Sequence, residues 1–436
     1  MQAKQVRKSD FSLFFLLLYL LCIFGIYYNV SARVGYIFTL FGISFFTVGL
    51  LLSNKIKRIK KGSPIIIYIG FILCRFFAAL LSGNLFNLQK TNDIKIFYFE
   101  FLMISVCDIF LYNLEENNKK RILIFIRNAA VFISAVGVLE FILKRQLVSE
   151  LIISKDSLIY FIGDVGSNRF RITSFFSHPI ICGVYSVIFF IIVMYFPFEN
   201  VWINFLSKGL ILAVILGTQS RSSWISAVIT LLLFYFRRNK TIDIKVKKKK
   251  ILRIIIIIII VVVLLVLSRD KIENLISVIN YRLASTLNYD FIENNTRSQI
   301  IQWGFDIFRT SDIIRKLFGH GPNFFIDLLY YNPVNGSWTR AIDNQYLTIL
   351  INYGMVSALY LIYFVGFVFF RFIKSKSIVV QCSSLCLLSI FISGFFYEYL
   401  TWPTVIIIQM ILICLIEESE EKQSGSVKLI TEQKFA

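Results

Sequence analysis

Charged residues are scarce in this 436-residue chain, making up 17% of it, where a soluble domain carries about 25%. Histidine occurs twice, at His178 and His320, and proline only six times. These shortages exclude whole classes of chemistry. Two isolated histidines with no acidic pair beside them give no metal-ligand spacing, so no metal is expected. No P-loop and no dinucleotide-binding fingerprint is present, which argues against nucleotide-driven work; no cofactor is expected. No Ser-His-Asp arrangement is signalled. The seven cysteines, Cys22, Cys74, Cys107, Cys182, Cys382, Cys386 and Cys414, all fall in or beside apolar runs. They read as small buried hydrophobes, without a disulfide framework.

Apolar sequence is what the chain has instead: 57% of its residues are hydrophobic. Runs of about 18–22 apolar residues recur from end to end, long enough to cross roughly 30 Å of hydrocarbon. The expected fold is all-α, a polytopic transmembrane helix bundle of about twelve spans. They lie near 11–29, 34–52, 64–81, 96–112, 122–142, 179–197, 202–218, 222–236, 254–268, 346–370, 378–395 and 401–416. The first reads as an uncleaved helix, because its apolar run is longer than a signal peptide's. The net charge of +20 does not point to nucleic acid, since no basic stripe interleaved with aromatics accompanies it. Lys and Arg gather instead in compact clusters between spans, such as Lys55 to Lys61 and Arg237 to Arg253. Placing those clusters inside puts both termini in the cytoplasm.

The whole chain, 1–436, reads as a single integral membrane domain with two long outer segments. One covers 144–177 and the other 269–345. A connection of about 75 residues is either functional or disordered, and the second is not disordered in composition. Ile272, Ile276, Ile279 and Leu283 share one helical face, as do Ile301, Phe305 and Phe308, so short helices lying on the outer surface are expected. Ionisable groups within spans are few: Arg75, Glu100, Asp108, Arg127 and Glu140. Each costs a few kcal/mol if it faces lipid. Most of the polar sequence lies in the outer loops, where a transport path would place it near the midplane.

Arg221 lies in Gly217-Thr-Gln-Ser-Arg-Ser-Ser-Trp224 at an expected helix start. An arginine there is unfavourable by roughly 0.3–1 kcal/mol unless an anion compensates. Helix N-terminus, guanidinium and hydroxyls together suit a phosphate; the plain alternative is an interfacial arginine on a hairpin. Arg297 lies on the face of Ile301 and Phe305, facing either lipid phosphate or a substrate pyrophosphate. Arg169 and Arg171 add two cations on the same side, followed by His178 before Pro179, more often a structural than a catalytic position. Phe318-Gly-His-Gly-Pro322 reads as a tight turn. In Arg340-Ala-Ile-Asp-Asn-Gln-Tyr-Leu347, Asp343 is either a general base or a helix cap.

In their order and spacing, several segments resemble the family of Wzy-type polysaccharide polymerases and O-antigen ligases. They are Gly217-Thr-Gln-Ser-Arg-Ser-Ser, Arg297 with Trp303, Leu317-Phe-Gly-His-Gly-Pro-Asn-Phe324, and Asp343-Asn-Gln-Tyr-Leu with Asn352-Tyr-Gly354. The resemblance covers about the second half of the chain; the first half matches in topology alone. It implies donor and acceptor oligosaccharides linked to undecaprenyl pyrophosphate, at the outer face of a bacterial cell membrane. The implied reaction moves a growing glycan to a sugar hydroxyl without metal or nucleotide. Membrane lipids, a flippase and a chain-length regulator are the implied partners, with no nucleic acid. Ligases of the family carry His-Asn where this chain has Asp343-Asn344, which favours a polymerase of O-antigen or capsule. On this reading Arg221 and Arg297 hold the donor pyrophosphate, and Arg169, Arg171, Arg340, Asn344 and Tyr346 contribute to substrate binding. Asp343 activates the acceptor, with His178 as second candidate. A ligase and a lipid-linked oligosaccharide flippase are the competing readings.

Overall fold

The structure is a computed structural model that describes residues 63–82, 100, 114–148, 170–176, 178–239, 296–332, 342–400 and 402–417. Every regular element among the described residues is an α-helix. They are α1 (Pro64–Leu81), α2 (Glu116–Leu143), α3 (Pro179–Tyr195), α4 (Val201–Gly217), α5 (Arg221–Asn239), α6 (Thr296–Thr310), α7 (Ile313–Phe318), α8 (Phe324–Tyr331), α9 (Gln345–Lys374), α10 (Ile378–Ser393) and α11 (Pro403–Leu415). By length and apolarity α1, α2 and α9 can cross a membrane, and α3, α4, α10 and α11 are shorter apolar helices. The expected all-helical membrane architecture is therefore present. The spans expected near 11–29, 34–52 and 254–268 lie outside the described residues, as do most of that near 96–112, the surface helix of Ile272 to Leu283, and much of both long outer segments.

The helix starts follow from local chemistry. Ser63, Asn200 and Ser377 each accept a hydrogen bond from a first-turn N–H of the helix that follows, satisfying donors that would otherwise be orphaned. Pro64, Pro179 and Pro403 open α1, α3 and α11, where proline's missing N–H costs nothing. The layering follows from apolarity. Helices α3, α10 and α11 are buried on nearly all sides and form the centre. Around them α1, α2, α4, α5 and α9 each turn large apolar side chains outward, among them Phe77, Phe132, Leu206, Leu232 and Ile362. A ring of outward Leu, Ile and Phe on one body is a surface made for lipid rather than water.

Charges inside this body act as ties between helices. Arg75 of α1 pairs with Glu100 at 2.8 Å, and Tyr68 donates to the same carboxylate at 3.3 Å. The Arg75 guanidinium also lies 4.9 Å from the centre of the Tyr353 ring on α9, a cation–π contact. Arg127 donates to the Phe196 and Pro197 carbonyls, at 3.1 and 3.0 Å, where α3 ends. These contacts give both arginines structural duties.

Helix α9 is broken at Gly354, whose backbone sits at φ 78°, ψ 179°. The break frees the carbonyls of Ile351 and Asn352, which accept from His320 N–H at 3.0 Å and Gly321 N–H at 2.9 Å. Gly319 crosses the break in the same unusual conformation, φ 79°, ψ 179°. A Cβ on Gly354 would fall 2.3 Å from the Leu317 carbonyl oxygen, and one on Gly319 2.3 Å from that of Asn352. That backbone region is essentially glycine-only, so the Phe318-Gly-His-Gly-Pro322 turn and the Asn352-Tyr-Gly354 segment are two halves of one crossing. Gly354→Ala should therefore destabilise the folded protein by at least about 2 kcal/mol. Thermal unfolding of the purified variant in detergent, beside wild type, measures it; an unchanged midpoint would remove the crossing's structural importance.

Candidate active site

The alternation of helices brings the N-termini of α3, α5, α9 and α11 to one end of the bundle. Three contacts fix this arrangement. Tyr185 of α3 donates its hydroxyl to the Thr404 carbonyl in the first turn of α11 at 2.5 Å. The Gln345 side chain, at the start of α9, accepts from Leu400 N–H at 2.9 Å just before α11. Gly183 packs so tightly on α5 that an added Cβ would lie 2.1 Å from Ser223 Oγ. Each helix N-terminus carries roughly half a positive charge on its unsatisfied N–H groups. This end therefore favours an anion before any side chain is counted.

The segment Phe170–Phe176 lies against the turn between α4 and α5. Ile172 N–H donates to the Gly217 carbonyl at 3.0 Å, Arg171 Nε to the Thr218 carbonyl at 2.9 Å, and Gln219 Nε2 to the Phe170 carbonyl at 3.2 Å. Its other side is pinned by Glu140, whose carboxylate accepts from Ser174 N–H at 2.7 Å and from Leu147 N–H at 3.1 Å. The acid near the end of α2 is thus a loop anchor. Gln219 adopts a left-handed conformation, φ 52°, to make the turn. Arg221 then opens α5, as the sequence implied. Beside it the hydroxyls of Ser220, Ser222 and Ser223 form a buried cluster, with Ser220–Ser222 at 2.8 Å and Ser223–Ser220 at 3.0 Å.

His178 caps α3. Its Nδ1 accepts from Ile180 N–H at 3.2 Å, so in the neutral ring the proton resides on Nε2. The ring packs on both Tyr397, stacked at 5.8 Å, and Trp402 at 5.3 Å, which also touch each other at 5.9 Å. Burial, with the charge of Arg171 second, pushes its pKa down to about 3. His178 is a neutral donor at physiological pH, held in place by its cap.

At Ile342–Leu347 the structure divides labour between two neighbours. Asn344 caps α9, accepting from Tyr346 and Leu347 N–H, both at 3.1 Å. Asp343 precedes it in a left-handed conformation, φ 55°, so the capping role that the sequence offered to Asp343 falls instead to Asn344. Tyr346 donates its hydroxyl to the Phe391 carbonyl at 2.7 Å and packs its ring on Phe395. Glu398, which sequence reasoning did not single out, lies buried opposite. It accepts from Ile342 N–H at 3.0 Å and from Thr348 Oγ at 2.7 Å. A signal existed: an acid in the short polar break between two apolar runs, in Phe395-Phe-Tyr-Glu-Tyr-Leu400.

Helices α6 and α8 form a small second core on α9 around Ile300, Phe325, Leu329, Ile342, Leu347 and Ile351. The face of α6 that packs inward is Ile300, Trp303, Gly304 and Ile307, while Phe305 on the neighbouring stripe is 47% exposed. That outward stripe is the one expected to face the membrane. Arg297 lies in the first turn of α6, with its side chain outside the described residues. Arg169 and Arg340 also lie outside them. His320 bonds Ser311 through Nε2 at 2.7 Å and stacks on Phe324 at 4.2 Å. Burial, then Arg315, lowers its pKa. The described residues thus bring Arg171, His178, Arg221, Asp343, Asn344 and Tyr346 to one end of the bundle.

Part of this arrangement lies in a stretch that matches a known family model. Residues 206–362 match the Wzy_C family model, described as O-antigen ligase. The match begins in α4 and ends within α9, so it holds the Arg221 turn, the glycine crossing and the Asp343 turn. It is consistent with the O-antigen ligase/polymerase superfamily and supports a membrane enzyme of that type. The Phe170–His178 and Gly394–Trp402 segments, which complete this end of the bundle, lie outside the O-antigen ligase match. No curated protein matches the chain.

The depressed His178 pKa has a consequence for stability. An unfolded histidine takes up a proton near pH 6.5, whereas the folded one resists until about 3. Stability is therefore full above pH 6.5 and falls, as pH drops below it, by up to about 1.4 kcal/mol per unit. His178→Asn keeps a cap acceptor and should flatten that decline. Unfolding midpoints from pH 7.5 to 4.5 measure it; equal acid sensitivity in both proteins would contradict a neutral buried His178.

Proposed function

We propose that this protein is a metal-independent polymerase. It joins oligosaccharide repeat units, carried on undecaprenyl pyrophosphate, into a surface polysaccharide such as O-antigen or capsule. The reaction takes place at the outer face of a bacterial cell membrane, with both termini in the cytoplasm. The observation that carries the reading is the family match, since it spans the Arg221 turn, the glycine crossing and the Asp343 turn together.

In the proposed reaction the donor pyrophosphate binds among the helix N-termini and the guanidinium of Arg221. Arg297 completes the clamp, and Arg169, Arg171 and Arg340 add to its field. The acceptor sugar hydroxyl attacks the donor's anomeric carbon. As that C–O bond forms, the bond from the anomeric carbon to the pyrophosphate oxygen breaks, and its electron pair leaves with undecaprenyl pyrophosphate. The hydroxyl proton passes to the Asp343 carboxylate. Fixed donors aimed at the departing pyrophosphate stabilise the charge that grows there, as an oxyanion hole does. His178, neutral with its proton on Nε2, is a donor at the rim. Asn344 and Tyr346 bind substrate through the turn they shape. Apolar outward faces on α5 and α9 give the polyprenyl tail a surface to lie against. A flippase delivering repeats and a chain-length regulator are the proposed partners.

The ligase reading is favoured by the matched family's own description; Asp343 in place of the ligases' histidine favours polymerase. Surface-glycan length decides between them, in a strain deleted for the gene and complemented with wild type, Arg221→Ala or Arg221→Lys. Loss of long chains with both variants is expected, because lysine lacks the planar two-pronged donor, while single lipid-linked repeats still reach the outer face. Long chains left on their lipid would mean ligase, and repeats trapped inside would mean transport. Normal chains from Arg221→Lys would remove Arg221 from the clamp.

A further inference from the structure

From the turn that carries Asp343 we infer that Glu398 is a positioning residue for glycosyl transfer. It holds Asp343 at the acceptor hydroxyl through the Ile342 N–H and the Thr348 hydroxyl. The inference rests on the proposed role of Asp343 and adds a residue beyond the matched stretch, which ends at residue 362.

Three observations converge on Glu398. It is a carboxylate 4% exposed, at the end of the bundle where the candidate residues gather. Burying an acid is costly unless its hydrogen bonds compensate, and two donors converge on Oε1, Ile342 N–H at 3.0 Å and Thr348 Oγ at 2.7 Å. These two donors flank Asp343 and Asn344 in the chain, so one carboxylate bridges the turn from its entry to the first turn of α9. Asp343 itself stands at φ 55°, a conformation that a residue with a side chain holds when its surroundings impose it. Other described restraints act on the far side of the turn: the Asn344 cap, Gln345 N–H to the Gly394 carbonyl at 2.8 Å, and Leu400 N–H to Gln345 Oε1 at 2.9 Å. On the near side, the Ile342 bond to Glu398 sets the direction from which the chain enters Asp343. Without that carboxylate acceptor the Ile342 N–H loses its bond, and the turn is free to relax toward the commoner right-handed or extended conformations. That would carry the Asp343 carboxylate away from the reacting hydroxyl. A displacement of about 1 Å at a reacting group is enough to cost on the order of a hundredfold in rate.

The test uses the full-length protein purified in detergent, with lipid-linked repeat units extracted from the deletion strain. Glu398→Ala should lower kcat about 10- to 100-fold with the donor KM unchanged. Glu398→Gln, whose amide oxygen accepts the same two donors, should recover the rate to within about threefold of wild type. Thr348→Val, which removes one hydroxyl, should lower kcat in the same direction by less, and keeps the question open to measurement should Glu398→Ala fold poorly. The deciding measurement is the double variant. If Glu398 acts through Asp343, then Glu398→Ala combined with Asp343→Asn should match Asp343→Asn alone within about twofold. Multiplied losses in the double variant would overturn the inference, as would full activity in Glu398→Ala or a Glu398→Gln variant as inactive as Glu398→Ala. Full activity in Asp343→Asn alone would instead overturn the role proposed for Asp343, an outcome separable from the others.

Discussion

The crossing of Gly319 over Gly354 is the constraint on which the described architecture turns. Helix α9 is the longest described element and touches both the lipid-facing body and the small core of α6 and α8. Unbroken, it would keep every carbonyl for its own ladder and offer the His320–Gly321 turn nothing to hold. Broken at Gly354, it exposes two carbonyls, and His320 and Gly321 dock on them at 3.0 and 2.9 Å. Asn352 adds its side chain, accepting from Phe325 N–H at 3.3 Å. The part of α9 before the break then belongs with α6 and α8 and carries the Asp343 turn. The part after it packs on α1 and α10 as a membrane helix. One backbone contact, possible only between two residues without side chains, decides where the candidate site stands relative to the bilayer body.

Ionisable groups inside the body follow a related logic. A charge in a dry interior is tolerated when its partners are fixed, and the described ones have such partners. Arg75 and Glu100 join α1 to the region of α9 beside the break, through Tyr353. Glu140 carries no cation among its described contacts and binds two loop N–H groups instead. Arg127 takes the carbonyls that α3 leaves unsatisfied at its end.

Much of this was readable from residue order alone, and the exceptions have physical causes. The apolar runs gave the helices, because burying backbone in lipid leaves almost no other option. The start of α5 at Arg221 and the tight turn around His320 followed from local polarity and glycine. That Gly319 and Gly354 need each other was hidden, since a glycine's sequence neighbourhood does not reveal what crosses above it. The protein-side face of α6, with Ile300, Trp303 and Ile307, went unnamed, because a surface helix has apolar residues on both its protein and its membrane side and periodicity alone does not tell them apart. Glu398 was passed over because its two partners lie 56 and 50 residues away, a distance across which no local pattern operates.

The same geometry explains how a pyrophosphate could be handled without a metal ion. A divalent cation normally offsets its charge; here the offset on the proposed reading comes from four helix N-termini and from arginines on different segments. Backbone N–H groups cannot be displaced, titrated or exchanged, and they are oriented before substrate arrives, which is the condition for strong electrostatic stabilisation. Arginine, charged at any physiological pH, adds to that field without a proton to lose. On the same reading the acceptor's proton goes to Asp343, on a turn that Glu398 ties through the Ile342 N–H and the Thr348 hydroxyl.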